Sequence, residues 1–175
     1  GSTPWGEQAS GSALRAIADY VIHGMDLDAV PDTDHEHRVV DRLRRSVEHG
    51  HQAIRDAGEA EGKRGMATTL TMVTIHWPRA YVIHVGDSRA YLVRGERIRQ
   101  LTDDHSLVGE LLRRREISPD AAREHPQRHV LTRAVGVRAQ VEPDLAELSP
   151  DANDVFVLCS DGLTAPLTNA AITEI

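Results

Sequence analysis

Two aspartates stand directly after apolar segments, at the points where those segments end. Asp87 follows YVIHV through Gly86, and Asp161 follows VFVLC through Ser160. A carboxylate at the end of a buried strand, beside a glycine that lets backbone or solvent come close, suits a hard cation that takes several oxygen ligands. Oxygen ligands of this kind select magnesium or manganese. The two aspartates are therefore candidate metal ligands.

The same residues also fit ordinary turns. Asp-Ser and Asp-Gly are common turn pairs, in which the carboxylate bonds nearby backbone N–H groups. In that interpretation, the Gly-Asp-Ser-Arg step at 86–89 is the turn of a hairpin between YVIHV and AYLVR. Taken singly, each aspartate favours the turn, so the metal site needs a second line of argument.

Motifs for other chemistries do not occur in the sequence. The ten histidines include no HExxH pair, so zinc proteolysis has no support. His105, which follows Asp103 and Asp104, is interpreted as a loop or packing residue rather than a base. A Gly-x-Ser-x-Gly elbow and a glycine-rich phosphate loop are both missing, which disfavours acyl transfer and nucleotide-dependent chemistry.

The composition is typical of a globular domain. The 175 residues fit one domain, with 40% apolar residues, 27% charged residues and a net charge of −7. This acidic balance argues against a nucleic-acid partner. No apolar run reaches the roughly 18 to 20 residues that cross a bilayer, and the single cysteine, Cys159, excludes an intrachain disulfide. We therefore expect a cytoplasmic protein without a membrane segment.

Helices precede strands along the chain. Apolar residues at three- and four-residue steps predict one helix over 10–23 and a second that ends near Gly58. From Ala67 onward, alternating and β-branched residues predict an antiparallel meander of about four strands, with turns at 77–78 and 95–96.

A charged insertion interrupts the strands. Ser106 is placed to cap one short helix, and Ser118, followed by Pro119, is placed to cap another. The apolar run VFVLC predicts a strand covered on both faces, and a last helix is expected near Thr168. The predicted order is helices, then a meander, then helices again, and strands do not alternate with helices. This order favours an α+β layered sandwich over a doubly wound parallel sheet.

Six segments occur in a characteristic order: GEQAS, GMATTL, HVGDSRAYLVR, LTDDHSLVGEL, HVLTRAVG and VLCSDGL. Their order and spacing closely resemble the type 2C (PPM) family of metal-dependent serine/threonine protein phosphatases, in its bacterial form. The resemblance runs from about Gly6 to the end of the chain. It implies an α-β-β-α sandwich, in which two antiparallel sheets are flanked by helices.

The resemblance also implies a reaction and a site. Two Mg²⁺ or Mn²⁺ ions bridge a water, whose lowered pKa makes it the nucleophile on phosphoserine or phosphothreonine. The substrates would be phosphorylated proteins, such as those of a bacterial serine/threonine kinase. Asp161 would be a ligand of the metal pair, and Asp87 would join Asp161 at a third metal site. The segment from Asp104 to Arg128 resembles the mobile flap of bacterial members.

Several family motifs do not occur in this chain. They would supply the phosphate-binding arginine, the histidine general acid and further carboxylate ligands, so no catalytic residue is assigned. Of the family's metal ligands only Asp87 and Asp161 occur, and we expect a partial sandwich that belongs to a longer protein or is completed by a partner.

Two other functions stay open. One is a pseudophosphatase, a module that keeps the fold and binds phosphoproteins or a kinase. The other is a related phosphatase acting on anti-sigma-factor antagonists, against which LTDDHSLVGEL and HVLTRAVG count, because those relatives usually lack the flap.

Overall fold

The computed structural model describes residues 5–24, 33–164 and 172. Two long helices come first, strands follow, and short helices are inserted among and after the strands. In chain order the elements are α1 (Gly6–Ile22), α2 (Thr33–Ala60), β1 (Leu70–His76), β2 (Arg79–Val85), β3 (Arg89–Arg94), β4 (Arg97–Gln100), α3 (Leu107–Arg113), α4 (Pro119–Glu124), β5 (Asp144–Leu148), β6 (Val155–Cys159) and α5 (Asp161–Thr164).

Helices α1 and α2 form one layer and run antiparallel. Ile17 of α1 lies against Gly50 of α2, and the guanidinium of Arg42 covers the ring of Tyr20 at 4.1 Å from its centre. The two helices predicted from apolar periodicity are confirmed, although α1 begins at Gly6 and α2 continues to Ala60. Each helix buries one apolar stripe, as the three- and four-residue spacing requires.

The strands form two three-stranded antiparallel sheets, in the orders β1-β2-β5 and β4-β3-β6. The main hydrophobic core lies between the helix pair and the first sheet. Its buried residues are Ala9, Ala13, Ile17, Val39, Leu43, Val47, Ile54, Met66, Tyr81, Ile83, Val85 and Val135. This mixture of helices and antiparallel sheets confirms the predicted α+β class.

The prediction of one continuous meander is wrong. All four predicted strands form, and β1–β2 and β3–β4 are hairpins, but β2 and β3 belong to different sheets. The step at 86–89 is therefore not a hairpin turn, because it carries the chain from the first sheet to the second. The sequence pattern alone does not distinguish the two cases, since YVIHV is buried throughout and the first three residues of AYLVR are buried as well.

The strand that is covered on both faces is β2, not β6. β2 lies at the centre of its sheet, and six of its seven residues are buried. Among the strands that the structure describes, β6 is at an edge, with Val155 and Leu158 55% and 46% exposed. The prediction from the apolar run VFVLC, which lacks polar alternation, therefore overestimated the burial of β6.

Local helix signals in the insertion are confirmed. The hydroxyl of Ser106 accepts from the Gly109 N–H at the start of α3, and that of Ser118 accepts from the Ala121 N–H at the start of α4. The helix expected near Thr168 lies outside the described residues. Among the helices that are described, none combines the length and the apolar character that a bilayer crossing needs.

Candidate functional site

Asp87 and Asp161 lie at the same end of the second sheet. The last pair of the β3–β6 ladder at this end is Arg89 opposite Cys159. Asp87 lies two residues before Arg89, and Asp161 two residues after Cys159, so both leave the antiparallel pair in the same direction. Two residues predicted from separate segments thus come to one edge, while their role as metal ligands stays a prediction.

The electrostatics of this edge favour a cation. Burial raises the pKa of Asp87, and the charges of Asp161 and Asp104 raise it further. Among the described residues, no salt bridge involves Asp87 or Asp161. A half-buried carboxylate close to a second one is destabilised in its charged form. A divalent cation between them would remove this repulsion.

The nearest arginine is already paired. Arg89 Nε and Nη2 donate to the two carboxylate oxygens of Asp104 at 2.8 and 2.7 Å. These hydrogen bonds raise the pKa of Arg89, although partial burial opposes them. The Arg89 guanidinium is therefore committed to Asp104. Its positive charge only partly offsets the charge at Asp87. Arg89 lowers the pKa of Asp87, but by less than burial raises it.

The described residues fit part of a metal site and not a complete one. No group of three or more His, Cys, Asp or Glu side chains able to hold an ion occurs among them. Asp104 is the third nearby carboxylate, but its oxygens are occupied by Arg89. Asp87 and Asp161 thus suit two ligand positions on a hard cation, which ordinarily takes six or more oxygens.

Open space lies beside the two aspartates. A cavity of about 1190 Å³ is lined by Ser88 and Ser160, the immediate neighbours of Asp87 and Asp161. Asp161 is itself exposed. The end of the second sheet is therefore accessible to an ion or a small ligand from solvent.

Two buried histidines form hydrogen bonds with Gly86, the residue directly before Asp87. Both carbonyl and amide of Gly86 are bonded to them: His84 Nε2 lies 2.9 Å from the Gly86 carbonyl oxygen, and the Gly86 N–H donates to His105 Nδ1 at 3.1 Å. The expectation that His105 is a loop or packing residue agrees with this position. His84 was not selected from the sequence, although an imidazole inside the buried run YVIHV must find hydrogen-bond partners.

Burial makes both histidines neutral at pH 7. Burial, and after it the neighbouring His105, lower the pKa of His84 from 6.5 to about 4. Burial also lowers the pKa of His105, outweighing its bond to Asp144. An unfolded histidine titrates near 6.5, so His84 favours unfolding as the pH falls from 6.5 towards 4, and its contribution is complete above 6.5.

We expect acid to destabilise the protein through His84. The span between 6.5 and about 4 corresponds to about 3 kcal/mol of unfolding free energy. Urea unfolding at pH 7 and pH 4 measures the loss in the wild-type protein and in His84→Gln, which keeps a donor at the Nε2 position and does not titrate. The same loss in both proteins would show that His84 is not its cause.

Solved structures of bacterial phosphatases share this fold. The Mycobacterium tuberculosis serine/threonine phosphatase PstP/Ppp superposes with a TM-score of 0.81 and 35% identity, over 96% of this chain and 67% of that one. The catalytic domain of PstP in complex with two manganese ions superposes with a TM-score of 0.78 and 33% identity, over 96% and 66% of the two chains.

Sequence comparison gives the family. Residues 7–175 match the family described as protein phosphatase 2C, and the chain belongs to this family. Protein phosphatase PhpP of Streptococcus pneumoniae is 40% identical over 124 residues, which are 71% of this chain and 50% of PhpP. The chain thus spans about half the length of the curated relatives it matches. The family predicted from the six segments is confirmed.

Proposed function

We propose that the protein hydrolyses phosphoserine and phosphothreonine in other proteins with the help of Mg²⁺ or Mn²⁺. The observation that carries the proposal is the meeting of Asp87 and Asp161 at one end of the second sheet, where Arg89 only partly offsets the charge at Asp87. Relatives named as serine/threonine phosphatases favour an enzyme over a pseudophosphatase that only binds phosphoproteins.

Each aspartate has a separate part in this proposal. Asp161 would be a ligand of the core metal pair, and Asp87 together with Asp161 would hold a further ion. When bound, the divalent ions would supply Lewis-acid activation of a water for attack at phosphorus. The chain's own contribution is a rigid carboxylate edge, because β3 and β6 are hydrogen-bonded up to Arg89 and Cys159.

The insertion and the substrate complete the proposal. The flap-like segment at 104–128 contains α3 and α4 and begins at Asp104, which Arg89 ties to the loop of Asp87. We propose that this segment contacts the substrate beside the metal edge, the end of the second sheet that carries Asp87 and Asp161. Proteins phosphorylated by a bacterial serine/threonine kinase are the proposed substrates. The single cysteine of the sequence, Cys159, favours a cytoplasmic location for the protein itself.

A phosphate-release assay tests the proposed activity. This chain, and the uninterrupted protein that carries it, are incubated with a phosphothreonine peptide and Mn²⁺, and the same reaction is run with excess chelator. We expect release that depends on the metal in at least the longer protein. No metal-dependent release from either would contradict the proposal.

Two substitutions test the separate metal roles. In the active protein we expect Asp161→Asn to lower kcat by about 100-fold and Asp87→Asn by about tenfold, because only Asp161 serves the core pair. Counting bound Mn²⁺ should show that Asp87→Asn retains two ions. Equal loss of all ions in both variants would refute the assignment.

A further inference from the structure

The peptide that precedes Asp87 is held on both sides by imidazole rings. The Gly86 N–H donates to His105 Nδ1 at 3.1 Å, and the Gly86 carbonyl oxygen accepts from His84 Nε2 at 2.9 Å and from the His105 backbone N–H at 2.7 Å. The two rings lie 4.7 Å apart, and 0% of His105 and 1% of His84 are exposed. Both backbone polar groups of Gly86, its N–H and its carbonyl, are thus hydrogen-bonded inside the protein.

The proton positions on His105 follow from its partners. Because Nδ1 accepts from Gly86, the neutral ring carries its proton on Nε2, which donates to Asp144 Oδ2 at 3.0 Å. Arg133 Nη1 donates to the other oxygen of Asp144 at 2.6 Å. Partial burial raises the pKa of Asp144, but these two hydrogen bonds outweigh it and lower the pKa. An ionised carboxylate therefore fixes the orientation of the ring.

His84 also contacts a threonine that lies near the residue after Asp87. Its Nε2 carries the proton donated to Gly86, so Nδ1 is an acceptor. The hydroxyl of Thr71 lies 2.9 Å from this Nδ1 and 3.1 Å from the Ser88 carbonyl oxygen, and its one proton is donated to one of these two acceptors at a time. The hydroxyl of Thr69 lies 2.8 Å from that of Ser88. Thr71 therefore lies between the His84 ring and the backbone after Asp87.

We propose that His84 and His105 are positioning residues, which set the backbone at Gly86, directly before Asp87, so that the Asp87 carboxylate is presented to the metal. The inference rests on the proposed function, because it concerns the same metal edge. Neither ring is among the ligands. Groups that orient metal ligands typically change the affinity for the metal by ten- to 100-fold when they are altered.

A third histidine offers a control within the same chain. His51 is 4% exposed, its Nδ1 accepts from the Gly136 N–H at 3.0 Å, and its Nε2 lies 3.0 Å from the Arg138 carbonyl oxygen. In both His51 and His105, Nδ1 accepts from a glycine N–H, while Nε2 faces a backbone carbonyl in His51 and a carboxylate in His105. The loop that His51 supports does not contain Asp87. Loss of His51 therefore reports what a histidine that only stabilises a loop contributes.

Paired amide substitutions separate the two hydrogen bonds of each ring. An asparagine amide reaches about as far as Nδ1, and a glutamine amide about as far as Nε2. His105→Asn keeps an acceptor for Gly86 and His105→Gln loses it, whereas His84→Gln keeps the donor to Gly86 and His84→Asn loses it. Thr71→Val removes the hydroxyl with little change of shape and serves as a further variant if a histidine variant does not fold.

The readouts are the Mn²⁺ dissociation constant of this chain and the hydrogen-exchange rate of the Gly86 amide. We expect His105→Gln, His84→Asn and Thr71→Val to raise the dissociation constant about tenfold, with His105→Gln also speeding exchange at Gly86 at least about tenfold. His105→Asn and His84→Gln should stay within about threefold of the wild-type affinity. His51→Gln, which loses the acceptor for the Gly136 N–H, should lower the melting temperature and leave the Mn²⁺ affinity unchanged.

Other results distinguish the two proposals. Equal affinities within each amide pair, or an equal loss of affinity in His51→Gln, would overturn the positioning role. Mn²⁺ binding that Asp87→Asn does not change would overturn it as well. The expected pattern of Mn²⁺ affinities, without release of phosphate by any form of the protein, would overturn the phosphatase function and leave the positioning role standing.

Discussion

Gly86→Ala is expected to lower the free energy of unfolding by about 3 kcal/mol. The φ of Gly86 is 118°, and an added Cβ would lie 2.4 Å from Thr69 Cγ2 and 3.1 Å from Thr69 Cα. Side chains avoid that conformation, and the contact with backbone leaves little room for adjustment. Either β1 or the step to β3 must shift, so urea unfolding should show the loss and Mn²⁺ binding should weaken with it.

Gly95→Ala is the matched control for this substitution. Gly95 also has a positive φ, of 58°, but an added Cβ would meet nothing within 4 Å. The free energy of unfolding of this variant should therefore fall only by the cost of placing alanine in the left-handed conformation, about 1 kcal/mol. If the two alanine variants lost the same free energy, close packing at Gly86 would not be the cause.

Arg89→Met is expected to destabilise the protein by about 3 kcal/mol. The substitution leaves the carboxylate of Asp104, whose side chain is 16% exposed, without the two hydrogen bonds from the guanidinium. A buried charge without its partner costs more than the pair contributes. Urea unfolding at pH 7 measures the effect.

Two further variants control the Arg89 experiment. Arg114→Ala removes an exposed arginine whose guanidinium lies 3.9 Å from Glu110, and it should change stability by less than about 1 kcal/mol. The double variant Arg89→Met with Asp104→Leu removes both charges, so it should recover most of the loss. A double variant as unstable as the single one would mean that the unpaired carboxylate is not responsible.

Local signals in the sequence predicted local structure well. Ser106 and Ser118 were predicted as helix caps from residue type and the apolar residues that follow, and the structure shows both hydroxyls bonded as expected. Those contacts span three residues of chain. Strand positions were likewise predicted from alternation, because burial of one face leaves a direct trace in the sequence.

Relations between distant segments were harder to predict. Nothing in HVGDSRAY indicates that its two halves belong to different sheets. The burial of β6 was overestimated because the sequence does not show which strands lie at an edge. Asp87 and Asp161 were predicted as a pair through the family resemblance. The bond from His105 to Asp144, between residues 39 apart in the chain, has no counterpart in local spacing.

The crossing between the sheets bears on the proposed metal site. Val85 ends a strand of one layer, Arg89 begins a strand of the other, and Asp87 lies midway between them. A cation shared by the carboxylates of Asp87 and Asp161 would therefore join the link between the two layers to the end of β6. By reciprocity, binding of such an ion would be coupled to the position of one layer relative to the other.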